Sequence, residues 1–354
     1  MNRFENLRKA LSARGVDALL VLDELNQRYL SGFAFTDGFL LITASEAYLV
    51  TDFRYYESAG KQAYPEFEVV MPSDRTAFLD EKLSAAGAKT VGFEGGSVSY
   101  ATYLSYKKAH PAVAFVDIGG LLEEIRQRKT PEELEKMQKA QDITDLAFSH
   151  IVKMLTPKMT EIEVAAELEY IMRKNGADGF AFDTIAVSGD GSALPHGTPR
   201  NLPLQKGFLT MDYGAKFDGY CSDMTRTVVI GRADEEIRKV YHTVLRAQTE
   251  AIAYLKEGAD CGEADKVARD IIDASYPGTF GHSLGHSVGL FIHESPRLYS
   301  RGFGRKLRTG EVVTVEPGIY LFGKYGCRIE DMVAIEKDGV HDFTRSPKDL
   351  IEIL

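Results

Sequence analysis

Three of the chain's eight histidines, His282, His286 and His293, fall within twelve residues. Imidazole is the commonest metal ligand and a frequent proton carrier. Singly, each would read as a satisfied core histidine; as a cluster they call for carboxylates elsewhere. Two strand-like pairs supply them. Asp212 and Asp223 lie on either side of Asp218-Gly219, a strong hairpin turn signal between apolar runs. With those two residues as the turn, Asp223 stands across from Gly214, two positions along from Asp212. Alternation along a strand then puts both acids on one face. The pattern recurs at Glu316 and Glu330, again on apolar runs that begin with glycine. A solvated surface pair would cost little. Among apolar neighbours a like-charged pair is costly unless a cation or proton joins it. The recurrence suggests a degenerate internal duplication: two half-sites facing one another, with the histidine strand between them.

Four carboxylates and an imidazole make a hard, oxygen-rich donor set. It suits Mn2+ or Co2+, admits Zn2+, and disfavours a thiolate-type structural zinc. Four negative charges balance two divalent ions. Two such ions bridged by carboxylates and a hydroxide form a standard hydrolytic arrangement. Nearby histidines would stabilise an oxyanion and pass protons. His196 belongs to a separate loop, Ser192-Ala193-Leu194-Pro195-His196-Gly197, and taken alone would be a surface residue.

The elements that must position these residues are readable in outline. Val288, Leu290 and Ile292 alternate as in a half-buried strand. If straight, it would turn His286 to their face and His293 to the other, but the glycines beside His286 point to a bend. Upstream, 4–14 reads as an amphipathic helix closed by Gly15, and 38–51 as a hairpin. Strands near 18–22, 67–70, 90–93 and 114–116 alternate with helices near 76–86 and 100–109. Gly95-Gly96-Ser97 lacks the lysine and the spacing of a phosphate loop and reads as a turn. Thr130, with Pro131 and Glu133, begins a new helix, and Thr160 with Glu163 another. These caps place a boundary between 126 and 127, separating an α/β unit (1–126) from a larger one (127–354).

With 354 residues, two domains are expected. The hydrophobic share of 44% and charged share of 27% are globular values. A net charge of −10 argues against nucleic acid or an anionic membrane as the main partner. Cys221, Cys261 and Cys327 form no disulfide framework, in keeping with a reducing cytoplasm. The first residues, Met1-Asn2-Arg3-Phe4-Glu5-Asn6-Leu7, do not read as a signal peptide, and no apolar run approaches a membrane span.

On its motifs the sequence resembles the pita-bread metallopeptidases, in the branch of Xaa-Pro dipeptidase (prolidase) and aminopeptidase P. The resembling blocks are SALPHG at 192–197, MDYG at 211–214, SDMTRT at 222–227, GHSLGHSVGLFIHE at 281–294, VEPGIY at 315–320 and RIED at 328–331. RYLSGF at 28–33 and TDFRYYE at 51–57 resemble the smaller creatinase-like domain of that branch. The resemblance implies an α/β N-terminal creatinase-like domain plus an α+β C-terminal pita-bread (creatinase/aminopeptidase) domain. It implies two divalent metal ions held by Asp212, Asp223, His286, Glu316 and Glu330, with Asp223 and Glu330 bridging. Glu316 would also be the general base, and His196, His282 and His293 would orient substrate and stabilise the transition state. Arg328 would support the carboxylates and, with Tyr320, border the substrate; for Tyr320, plain packing is the other reading. Arg297, four residues after His293, would bind the free carboxylate of a C-terminal proline through two parallel hydrogen bonds; a solvated loop charge is the other reading. The implied substrate is a short proline-containing peptide, most simply an Xaa-Pro dipeptide, and the implied assembly a homodimer. The alternatives are an aminopeptidase P-like enzyme on longer peptides and a peptide-binding pseudoenzyme of the same fold. Methionine aminopeptidases share the ligand set but usually lack such an N-terminal domain, and creatinases dispense with metals.

Overall fold

The computed structural model describes residues 3–354, so the first two positions of the segment read above as lacking a signal peptide lie outside the described residues. The chain forms two compact units, Met1–Leu122 and Glu123–Leu354. No helix among the described residues is long and apolar enough to cross a membrane.

The first unit is built on a six-stranded sheet. In chain order its strands are β1 (Ala18–Val21), β2 (Phe39–Thr43), β3 (Ala47–Val50), β4 (Glu68–Val70), β5 (Thr90–Phe93) and β6 (Ala114–Asp117). They lie in the spatial order β4-β3-β2-β1-β5-β6. The expected hairpin is β2–β3, with Ile42 facing Ala47, while β5 and β6 run parallel to β1. Every residue of β1, β2 and β3 is buried, which explains their nearly unbroken apolar sequence. Leu79 and Leu83 of the helix Arg75–Ala85 pack with Leu20, Leu41, Val50 and Val91 in one core.

The second unit repeats one plan twice. The first half opens with the helices Pro131–Met154 and Glu161–Lys174, each begun by the expected capping box at Thr130 and Thr160. Each box is worth about 1 kcal/mol. After them come β7 (Gly179–Phe180), β8 (Ile185–Ser188), β9 (Gly207–Tyr213), β10 (Ala215–Phe217), β11 (Tyr220–Cys221) and β12 (Met224–Ile230). The second half opens with the helices Glu235–Tyr254 and Cys261–Asp273, capped by Asp234 and Asp260. Ile237, Val240, Tyr241, Val244, Ala247 and Ala251 form the buried stripe of the first of these. Its strands are β13 (Gly285–Ser287), β14 (Glu294–Leu298), β15 (Val312–Val315), β16 (Gly318–Leu321), β17 (Tyr325–Arg328), β18 (Asp331–Ile335) and β19 (Val340–Asp342), and β20 (Glu352–Ile353) ends the chain. Each helix pair shares an apolar core with its own hairpin.

The four-stranded sheet runs β20-β12-β9-β8 and the five-stranded one β14-β13-β15-β18-β19. This corrects two expectations. The histidine strand β13 is not between the two hairpins; it lies beside β15, on the side away from β18. The hairpins meet directly: Glu330 donates its N–H to the Thr225 carbonyl at 3.1 Å, and Arg226 donates to the Glu330 carbonyl at 2.6 Å. The bend expected from the glycines beside His286 is present, but Val288, Leu290 and Ile292 lie in no strand. Residues 288–293 leave the sheet, the ladder shifts register between His286 and Ser287, and β14 returns antiparallel. All three cysteines are buried and free. Burial pushes the thiols of Cys221 and Cys327 up to about 12, which keeps them protonated and inert.

Candidate metal centre and active site

Both hairpins keep a constant register across a break, and the acids sit at or beside the break. In the first, Thr225 faces Asp212 and Lys216 faces Cys221. The turn is Asp218-Gly219, with φ of 47° and 80°, as the dipeptide suggested. Continuing that register puts Asp223 across from Gly214, as expected from the parity of the turn. A Cβ at Gly214 would lie 1.9 Å from the Ser222 carbonyl oxygen, so the close approach of two backbones demands glycine. In the second hairpin Val315 faces Asp331 and Gly318 faces Arg328, which sets Glu316 opposite Glu330. His286 arrives from β13, where a Cβ on Gly285 would lie 1.9 Å from the Thr314 carbonyl oxygen; Gly281, before His282, has open space instead.

Four of these residues converge, and Asp212 shares a cavity wall with them. Ligand atoms of Asp223, His286 and Glu330 all lie within 4.8 Å of one another. His286 Nε2 is 3.6 Å from Asp223 Oδ2 and 3.4 Å from Glu316 Oε1. His286 Nδ1 lies 3.2 Å from the Ser287 carbonyl, so that nitrogen carries the proton and Nε2 offers its lone pair to the acids. Asp212 accepts from Arg328 Nη2 at Oδ2 (2.6 Å), while its Oδ1 is buried without a donor among the described residues. Thr225 Oγ1 donates to Glu330 Oε2 at 2.7 Å and accepts from Arg328 Nε at 3.0 Å. Thr314 Oγ1 donates to Glu316 Oε1 at 3.2 Å.

Burial and mutual repulsion raise the carboxyl pKa values. Asp223 is pushed well up by burial and then by the Asp212 charge, and Glu330 by burial and then by Asp223. Burial lifts Glu316 to about 8, and burial drops His286 to about 4. The residues present fit divalent cations. They offer hard oxygens, one unprotonated imidazole nitrogen, no thiolate, and an Asp212 oxygen that the protein leaves unsatisfied.

The cluster lies on the wall of a cavity of about 680 Å3. Asp212, Asp223, His282, His286, Glu316, Arg328 and Glu330 line it together with His196, His293 and Arg297. His196 is exposed, on the turn after the short helix Gly189–Ala193. The rings of His286 and His293 are 4.5 Å apart, so the bend brings together two histidines that a straight strand would have parted. Arg297 sits in β14 across from His286, exposed, and makes no ion pair among the described residues.

Tyr320 is not on the cavity wall, where a substrate-bordering role would place it. It is buried behind His282. Arg328 Nη1 donates to the Tyr320 hydroxyl at 2.8 Å, and that hydroxyl lies 2.8 Å from His282 Nε2. Burial lowers the His282 pKa to about 4, so the ring is neutral. Its Nδ1 is 2.9 Å from the Ser283 carbonyl and therefore bears the proton. Nε2 then accepts from Tyr320, and both nitrogens of His282 are occupied within the chain.

Two supports carried no signal in the sequence. Glu161, the first residue of its helix, is fully buried and accepts from Ser188 N, Ser188 Oγ and three nitrogens of Arg200. Burial works to raise its pKa, and these donors outweigh that and hold it below the ordinary value. The pair anchors both ends of the loop that carries His196. Glu294, next to His293, is gripped by Arg126 Nη2 at 3.1 Å and Lys129 Nζ at 3.2 Å, and Lys129 also reaches Ser287 Oγ at 3.3 Å. That grip ties the start of β14 to the end of β13.

Comparison with known proteins agrees with the motifs. Residues 135–337 match the model of metallopeptidase family M24, and residues 3–128 match the creatinase/prolidase N-terminal domain. The Xaa-Pro dipeptidase of Pyrococcus furiosus is 36% identical over 353 residues, covering 99% of each chain. Among solved structures, an Xaa-Pro dipeptidase from Bacillus anthracis superposes with a TM-score of 0.94 at 40% identity, covering 99% of this chain and 98% of that one. An X-Pro aminopeptidase from Thermotoga maritima superposes with a TM-score of 0.93 at 36% identity, covering 99% and 100%.

Proposed function

The chain belongs to metallopeptidase family M24 and is a metallo-exopeptidase, and from that premise we propose that it hydrolyses the bond before proline in short peptides, acting as an Xaa-Pro dipeptidase. The catalytic domain is taken as 127–354 and the creatinase-like domain as 1–126. Asp212, Asp223, His286, Glu316 and Glu330 would hold two divalent ions, Mn2+ or Co2+ by donor hardness, with Zn2+ admissible. Such ions supply Lewis acidity and an acidified water.

The rest falls to the chain's own groups. Glu316, with Oε1 held by Thr314, takes the proton of the attacking water at its other oxygen. His196 and His293, exposed on the cavity wall, donate to the oxygen that gains charge as the carbonyl is attacked. His282 has no proton to give at Nε2 in this arrangement; it and Tyr320 hold Arg328 against Asp212 instead. The supports for two ions are the two carboxylate pairs and the orphaned Asp212 oxygen. A homodimer is taken from the family resemblance, and sedimentation velocity tests it.

Arg297 is the observation that carries the dipeptidase preference. It is an unpaired guanidinium on the cavity wall, suited to the carboxylate of a terminal proline. The test is a panel of Ala-Pro, its C-terminal amide, Xaa-Pro-Yaa and Met-Yaa peptides, assayed with Mn2+, Co2+ and Zn2+ in turn. Turnover of Ala-Pro that collapses on amidation is expected. Faster cleavage of Xaa-Pro-Yaa would move the enzyme to the aminopeptidase side, and no cleavage of any proline peptide sinks the proposal. Arg297→Ala should raise KM for Ala-Pro about tenfold to a hundredfold, the scale for removing one partner of a charged hydrogen bond. Unchanged turnover would dismiss the clamp.

A further inference from the structure

Nothing holds the His293 ring directly. Its imidazole makes no hydrogen bond among the described residues, and the rings of His286 and Phe291 pack against it at 4.5 and 6.3 Å. Its place is therefore set by the backbone of residues 288–293, which belongs to no ladder. That backbone is wrapped around one carboxylate. Glu294 is buried, and its Oε1 accepts from the Phe291 N–H at 3.3 Å. Gly289 is pressed so close that a Cβ there would lie 2.5 Å from Glu294 Oε2. Arg126 Nη2 donates to Oε1 and Lys129 Nζ to Oε2. Lys129, with a side chain 1% exposed, also donates to Ser287 Oγ and so fixes the residue next to His286. The loop is tied toward Asp223 as well, since Cys221 donates its N–H to the Gly289 carbonyl at 2.8 Å.

A buried ion pair is a weak source of stability, because burying charges costs desolvation that apolar residues of similar volume do not incur. What the charges supply here is geometry. Three donors converge on one carboxylate and give the loop a single path. We infer that Glu294, locked by Lys129 and Arg126, is a positioning residue that sets the place of the His293 imidazole against His286 and so against the carbonyl oxygen under attack. This rests on the hydrolytic role given to His293 above. Glu294 is not on the cavity wall, and it acts only through its neighbour.

The experiment is a double-mutant cycle. Ala-Pro hydrolysis is followed on metal-loaded enzyme, at enzyme excess for the slow variants, with Tm and metal content recorded for each. Glu294→Gln and Lys129→Met are each made on the wild type and on His293→Ala. On the wild type, Glu294→Gln should lower kcat about tenfold to a hundredfold, the scale for a misplacement of about 1 Å, with KM within about threefold. Lys129→Met should act in the same direction and by less, since Arg126 stays on Glu294. On His293→Ala either substitution should change kcat by less than about twofold, while the fall in Tm is the same in both backgrounds. A kcat loss that recurs in full without His293 overturns the inference, because the network would then serve the fold or another group. So does a wild-type kcat in both single variants, and so does a loss of bound metal that accounts for the slower turnover. If Glu294→Gln does not fold, the Lys129→Met half of the cycle decides by the same criteria. Should the wild type leave Xaa-Pro peptides intact, the proline reading fails and the cycle is run on whichever peptide of the panel is cleaved. A His293→Ala variant as fast as the wild type then overturns the inference separately, and a protein that cleaves none of the peptides loses both.

Discussion

In the first hairpin the acids are short and diagonal: Asp223 stands across from Gly214, two positions along from Asp212. In the second they are long and opposed: Glu316 faces Glu330 across the break. Directly opposed residues have Cβ atoms about 4.5–5.5 Å apart and diagonal ones about 7–8 Å. Glutamates can flex their extra methylene to share a centre from opposed positions. The aspartates of the first hairpin are offset, with Gly214 at a point where the Ser222 carbonyl leaves no room for a Cβ. The hairpins also brace each other. Arg328 of the second neutralises Asp212 of the first, while Thr225 of the first orients Glu330 of the second. Neither hairpin is a half-site able to stand alone. The charge and hydrogen-bond complement of each is completed by the other.

The comparison breaks most sharply on its acids. Asp223→Asn and Glu330→Gln should each lower kcat/KM by about a hundredfold to a thousandfold, the scale seen when one charge-stabilising group leaves a reacting centre. The double variant should be little worse than either single one, because the two act as a unit. If one hairpin's variant keeps near-normal turnover while the other's is dead, the centre belongs to a single hairpin and shared construction is wrong.

A smaller effect is expected from removing the metal. In chelated protein Glu316 has a pKa raised by burial from its ordinary 4.5 to about 8, and Asp223 and Glu330 move in the same direction. A carboxyl raised on folding contributes stability that is complete below the unfolded value and lost as pH climbs through the folded one. Chelated protein should therefore lose thermal stability between about pH 6.5 and 8, above the range in which His282 and His286, lowered from 6.5 to about 4, act in the other direction. Metal at a hundred times its Kd restores about 2.7 kcal/mol, a few degrees in Tm for a unit of this size. The gap between loaded and chelated Tm should widen with pH across that window. A gap that narrows, or chelation without effect on Tm, contradicts a buried cluster waiting on a cation.

Local chemistry was legible in the sequence and long-range pairing was not. Asp218-Gly219 set the register of the first hairpin, and through it the shared face of Asp212 and Asp223, because turn type and pleat are short-range constraints. Thr130 and Thr160 announced their helices for the same reason. In the histidine segment the bend was legible from the glycines beside His286, while the strand expected over Val288, Leu290 and Ile292 is absent. Its alternation is real, but Val288, Leu290 and Ile292 are buried from a loop, so burial mimicked a strand period. The position of β13 outside the two hairpins depends on pairing with β15, which no nearby residue encodes. Glu294 with Arg126 and Lys129, and Glu161 with Arg200, join positions 39 to 168 residues apart; ion pairs across such distances leave no periodic trace. The helix Glu235–Tyr254 carries short-range signals of the same kind, an apolar spacing and the Asp234 cap.

The finest test of mutual bracing is Thr225→Val, which keeps the shape of the side chain and deletes its hydroxyl. Two contacts go: the donor to Glu330 Oε2 and the acceptor for Arg328 Nε. Glu330 is then free to rotate, and Arg328 keeps only Asp212 and Tyr320. Loss of such an orienting group typically costs about tenfold to a hundredfold in metal affinity. The lower figure is expected here, since Arg328 retains its other two partners. Thr227→Val is the control two residues along the same strand. Its hydroxyl donates to the Arg328 carbonyl at 2.7 Å and touches no carboxylate of the cluster. Metal titration by calorimetry should show weakened binding for Thr225→Val and not for Thr227→Val, although both lose a buried hydrogen bond and some thermal stability. Equal metal affinities in the two variants would mean that Thr225 holds the hairpins together without aiming Glu330, and the cross-bracing would be structural alone.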